Sequence, residues 1–132
     1  MNIGRKPKTI TTISVVFIFL LSFILGIIRW INIFNENVFV ITKEINSHIT
    51  NFNISLMLCT LIGYLLLYYR KKYWIIVIVG LVLISINLIY ETIFPFINTV
   101  DLIDAVYGVV GVIISLIYLL FINKKGFDNL LS

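Results

Sequence analysis

Four apolar runs, each about 20 residues long, take up most of this 132-residue chain: Thr11–Ile31, Phe52–Tyr69, Tyr73–Phe94 and Leu102–Ile122. Roughly 20 apolar residues wound as a helix cross a ~30 Å hydrocarbon core. A segment inside lipid must satisfy its own backbone hydrogen bonds, so runs of this length are expected as helices. The expected fold is an all-α membrane protein, a four-transmembrane-helix bundle that forms a single integral membrane domain over residues 1–132. A water-soluble fold is excluded on composition. With 61% hydrophobic and 12% charged residues, the chain has too little charge to cover an exterior facing water.

Charge sets the expected orientation. Arg5, Lys6, Lys8, Arg70, Lys71, Lys72, Lys124 and Lys125 lie at the N-terminus, in the connection between the second and third runs, and after the fourth. Arg29 and Lys43 are the basic residues of the opposite side, where Glu36, Glu44, Glu91, Asp101 and Asp104 gather. Basic residues favour the cytoplasmic side, which places both termini and the Arg70-Lys71-Lys72 turn inside. Tyr68, Tyr69, Tyr73 and Trp74 flank that turn as an interfacial aromatic belt. The net charge of +4 does not indicate nucleic acid, because the basic residues cap spans instead of lining a groove with stacking aromatics. Anionic lipid headgroups are the expected partners of those eight side chains. The stretch before Thr11 resembles the basic region of a signal peptide. The apolar run after it is too long for one, so a retained first span is expected. Scarce alanine and abundant Ile, Asn, Lys, Phe and Tyr suggest AT-rich coding and a low-GC bacterium, hence a cell-membrane location.

Chemistry-bearing motifs are few. The single cysteine, Cys59, lies inside the second run and reads as a packing residue. The chain lacks paired metal-binding cysteines, a HExxH helix, a phosphate-binding glycine loop and a nucleophile elbow. No cofactor or metal is expected, and no enzyme activity, since no nucleophile–base pair is visible. His48 falls in the stretch 32–51, read as a long outer connection with a short interfacial strand or helix, and is expected to be solvated. The connection around Pro95 ends the third helix, and the tail beyond Asn123 is expected to fray.

The polar residues do form a pattern. Steps of four, three and four put Gly80, Ile84, Asn87 and Glu91 on one helix face. In the fourth run Asp101, Asp104, Gly108, Gly111 and Ser115 share a face. Small residues let helices approach closely in lipid, so Gly80, Gly108, Gly111 and Ser115 are expected at helix contacts and the two stripes are expected to face each other. Leu83, Ile113 and Leu120 are expected to face lipid. Arg29, Asn87, Glu91, Asp101 and Asp104 then form a candidate outer polar cluster, with Arg29 close enough to pair with a carboxylate. Charges at membrane depth are costly and suggest function. A purely structural reading stands beside this one. Asp101 and Asp104 suit the N-cap and N3 of the fourth helix, and Arg29 can snorkel.

The segment Asn87–Gly111, NLIYETIFPFINTVDLIDAVYGVVG, resembles the C-terminal signature of VanZ-like membrane proteins. That signature has a Glu near the outer end of a span, a short loop, then D-x-x-D opening the next span, with a small or amide residue and a glycine four and seven positions further on. Glu91, Asp101, Asp104 and Gly111 take the matching positions, and Asn87 stands where the family often has serine. Phe94 replaces the family's Gln, Asn98 and Thr99 occupy the stretch of its Arg, and Gly108 replaces its Asn. The resemblance implies an envelope-related role, such as reduced susceptibility to glycopeptide antibiotics, with binding of a cationic or hydrogen-bonding headgroup at the outer leaflet. Two alternatives stay open: a transporter or flippase subunit working as a homo-oligomer, and a non-catalytic accessory or immunity protein of a larger membrane complex.

Overall fold

The computed structural model describes residues 5–34, 42–93 and 101–128. Four helices account for most of them: α1 (Thr9–Phe34), α2 (Lys43–Tyr68), α3 (Tyr73–Ile93) and α4 (Leu102–Lys125). Each is long and apolar enough to cross a membrane, so the chain is a multi-pass membrane protein. The connection around Pro95, the family position at Phe94, and Glu36 lie outside the described residues.

α2 and α4 form the central pair. α3 packs on α4 and less extensively on α2, and α1 packs mainly on α2. Large aliphatic and aromatic side chains such as Phe17, Phe23, Leu81, Ile86, Ile113, Ile117 and Leu120 are exposed, as lipid-facing positions require. Ile113 and Leu120 point outward as the sequence suggests. Leu83 instead is half-buried against the core formed by Cys59, Leu67, Ile76, Val112, Leu119, Ile122 and Phe127. Cys59 is a packing residue of that core.

Glycines set the close approaches. A Cβ at Gly80 would meet the Leu116 side chain at 2.8 Å, one at Gly108 the Asn87 amide at 2.8 Å, and one at Gly111 the Phe52 carbonyl oxygen at 2.5 Å. The two polar stripes therefore meet only in part. Gly80 and Gly108 serve the α3–α4 contact. Gly111 and Ser115 face α2, where Ser115 shares a 2.9 Å hydrogen bond with Thr60.

Two segments depart from the sequence expectation. α2 starts at Lys43, so residues 43–51 of the anticipated outer connection are helix. Asn46, His48, Thr50 and Asn51 bond to neighbouring helices and can therefore continue a span. The tail is also held as far as Asp128; residues 129–132 lie outside the described residues. Lys6–Pro7 (β1) pairs antiparallel with Phe127–Asp128 (β2), Lys6 opposite Asp128 and Pro7 opposite Phe127. Phe127 is buried, and the Thr11 hydroxyl donates to the Gly126 carbonyl at 2.7 Å.

Arg5 locks this clasp and is the one basic residue of the eight that turns inward. Its guanidinium donates to the Asn123 side chain at 2.8 Å and lies 4.7 Å from the Phe127 ring centre, a cation–π distance. Its backbone N–H donates to Tyr68 at 2.8 Å. Burial, and then the nearby Arg70 charge, lower the Arg5 pKa. A guanidinium starts so high that it stays charged at neutral pH. The clasp ties residues 5–8 and 126–128 to the end of α2, so these segments and the α2–α3 turn share one end of the bundle. α2 ends there through Arg70, which adopts a left-handed φ of 59°, while the Lys71 and Arg70 N–H groups donate to the Leu66 and Leu67 carbonyls at 2.9 and 3.1 Å. This is the 6→1, 5→2 pattern of a Schellman stop, more often supplied by glycine.

Candidate functional site

At the opposite end, α4 begins with a capped turn. Asp101 is its N-cap in extended backbone, and its Oδ1 accepts the Ile103 N–H at 2.9 Å. Asp104 lies in the first turn. Both carboxylates gain from the unpaired N–H groups and positive dipole end of the helix, so the capping reading holds at Asp101.

Capping does not account for what faces them. His48, on α2, is buried to 9% exposure. Its Nδ1 lies 2.8 Å from Asp104 Oδ1 and 3.7 Å from Asp101 Oδ2. Nδ1 and the Asp104 oxygen share one hydrogen at this distance. The Tyr107 ring rests against the imidazole, 5.4 Å between centres. The expectation of a solvated loop histidine is thus corrected: the helix reaches past it and turns it into the bundle.

The other anticipated residues each find a partner on α2. Glu91, 3% exposed, accepts from Asn51 Nδ2 at 3.0 Å. One turn deeper, Asn87 Nδ2 donates to Ser55 Oγ at 2.9 Å. Arg29 donates to the Thr50 hydroxyl. The ion pairs formed among the described residues join His48 to Asp101 and Asp104; Arg29 takes part in neither. The five anticipated residues therefore surround the outer third of α2, and only Asp101 and Asp104 share a contact group. His48, Thr50, Asn51 and Ser55 complete the arrangement and were missed. His48, Asn51, Ser55 and Cys59 stand at steps of three, four and four, so continuing a helical face upstream of Phe52 would have found them.

Beside the His48–Asp104 pair lies an apolar groove of about 310 Å³, lined by Ile45, Ile49, Phe52, Val106, Tyr107 and Val110. Tyr107 belongs to both features, contacting His48 and walling the groove. Chemically this is a two-part surface: carboxylates that can accept hydrogen bonds or neutralise a cation, next to a slot with room for hydrocarbon. One ligand atom each from His48, Asp101 and Asp104 also lies within 4.8 Å of the others, a spacing that a single metal ion can span.

No family model matches this chain, and neither the curated proteins nor the solved structures contain a match to it.

Proposed function

We propose that this chain is a non-catalytic, VanZ-like protein of the bacterial cell membrane that captures an amphiphile from the outer leaflet. The head, cationic or hydrogen-bond donating, rests on Asp101 and Asp104. The tail lies in the groove between α2 and α4. The observation that carries this reading is the adjacency through Tyr107 of an acidic, half-buried rim and an apolar slot. Such pairing of convergent polar groups with a concave apolar wall is the usual form of a ligand site.

Orientation supports it. Lys6, Lys8, Arg70, Lys71, Lys72, Lys124 and Lys125 are exposed at the clasped end, which suits anionic cytoplasmic headgroups. The acidic rim is then extracellular. A lipophilic antibiotic or a lipid-linked envelope precursor has the required build, in keeping with the family resemblance at Glu91, Asp101, Asp104 and Gly111.

The test uses the chain in nanodiscs of zwitterionic lipid and a fluorescent single-chain alkylammonium probe. Asp104→Asn is expected to weaken binding about tenfold or more, the equivalent of ~1.4 kcal/mol. Ile49→Trp, which fills the groove, should weaken it comparably, whereas Leu120→Trp on the lipid face should not. Equal affinity in all four proteins would refute the assignment.

A further inference from the structure

His48 is not needed to hold a cationic head. A helix cap and two carboxylates would do that alone. Yet α2 brings an imidazole to the carboxylates across a helix–helix contact, and Tyr107 braces its ring. Among the described residues one imidazole faces two carboxylates, an excess of negative charge at a half-buried position, where Asp101 and Asp104 are 35% and 20% exposed by side chain. Uncompensated charge at such a place is costly, and the helix dipole offsets only part of it. A divalent ion compensates both carboxylates at once.

The donor set is selective. One nitrogen and two carboxylate oxygens suit zinc and its first-row neighbours, whereas magnesium and calcium favour all-oxygen shells. The three ligand atoms lie within 4.8 Å of one another, so small side-chain rotations bring them to the ~2.0–2.2 Å of zinc–nitrogen and zinc–carboxylate bonds. Asp101 is already oriented for this. The Ile103 N–H holds its Oδ1, leaving Oδ2 toward His48, the kind of outer contact that fixes a metal ligand. On binding, the ion takes the Nδ1 lone pair and the ring keeps one hydrogen, on Nε2, so a neutral ring only changes tautomer and an imidazolium releases one proton to solvent. Three protein ligands leave a fourth position open.

We propose that His48, Asp101 and Asp104 form a zinc-class divalent metal site whose occupancy competes with the amphiphile head. The metal site stands on the ligand geometry alone; the competition rests on the function proposed above.

The two parts separate in one series of measurements. Chelator-stripped protein in zwitterionic nanodiscs is titrated with Zn²⁺ against a zinc indicator, and with Co²⁺ by visible absorption. One equivalent per chain is expected. His48→Gln, Asp104→Asn and Asp101→Asn should each weaken it at least about tenfold and lose the cobalt ligand-field bands. Asn is itself a good N-cap, so Asp101→Asn removes a ligand without uncapping α4. No stoichiometric binding, or equal binding in all three variants, would overturn the metal site. The alkylammonium probe is then titrated with and without zinc. Zinc should raise the probe's apparent Kd in the wild-type chain but not in His48→Gln. Zinc binding that leaves the probe's Kd unchanged would remove the competition and leave the metal site standing. Probe binding without any zinc binding would remove the metal site and leave the amphiphile reading standing.

Discussion

Substituting Gly111 with leucine is expected to separate α4 from α2 and to destabilise the bundle by about 3 kcal/mol or more. Even the first atom added has no room. A Cβ at Gly111 would lie 2.5 Å from the Phe52 carbonyl oxygen and 3.1 Å from the Leu56 backbone nitrogen. Those are backbone atoms in the middle of α2, so neither can rotate away. In lipid no hydrophobic gain repays wider spacing, because hydrocarbon is as apolar as the added side chain. The hydrogen bond between Thr60 and Ser115, one turn further along the same contact, would be lost with it. Gly26 supplies the control. A Cβ there meets nothing within 4 Å, and Gly26→Ala should be neutral or gain up to ~1 kcal/mol of helix propensity. Reversible unfolding in mixed micelles reads both. Equal stability of the Gly111→Leu and wild-type chains would mean that α2 and α4 do not touch there.

Asn51→Leu carries the second large effect. Asn51 donates to a Glu91 carboxylate that is 3% exposed. Hydrogen bonds to charged groups contribute ~1.5–3 kcal/mol, and a buried acceptor that loses one of its donors also suffers part of its desolvation cost. A loss of about 2–3 kcal/mol is therefore expected. The informative protein is the double variant Asn51→Leu/Glu91→Leu. Replacing both partners with apolar groups is nearly neutral when shapes are kept; Glu91 has a further interaction besides Asn51, so the pair should recover only the part of the loss that belongs to this hydrogen bond. A double-mutant cycle that closes with no coupling energy would show that the two side chains act independently.

Much of this architecture is legible in the residues, and the parts that are not have physical reasons. The spans are set by lipid thickness, and length alone finds α1, α3 and α4. Helical spacing finds Gly80, Gly108, Gly111 and Ser115, since a close contact needs small residues on one face. The outer third of α2 escaped because Asn46, Ser47, His48, Thr50 and Asn51 make it too polar to read as lipid-embedded. Pairing with Asp104, Glu91, Arg29 and Asn32 shields His48, Asn51, Thr50 and Asn46, and only the packed helices reveal such partners. The same blindness hid the rim's central residue, His48. The terminal clasp is illegible for another reason. Two-residue strands from opposite ends of the chain carry no periodicity, and a single Arg5–Phe127 stack has no local signature.

The arrangement as a whole depends on the acidic rim facing outward. Single cysteines introduced as Ile103→Cys and Lys71→Cys in a Cys59→Ala background report this directly. A membrane-impermeant maleimide added to intact cells should label the first. It should label the second only after the membrane is permeabilised. Labelling of the Lys71 position in intact cells, with the Ile103 position protected, would contradict the account.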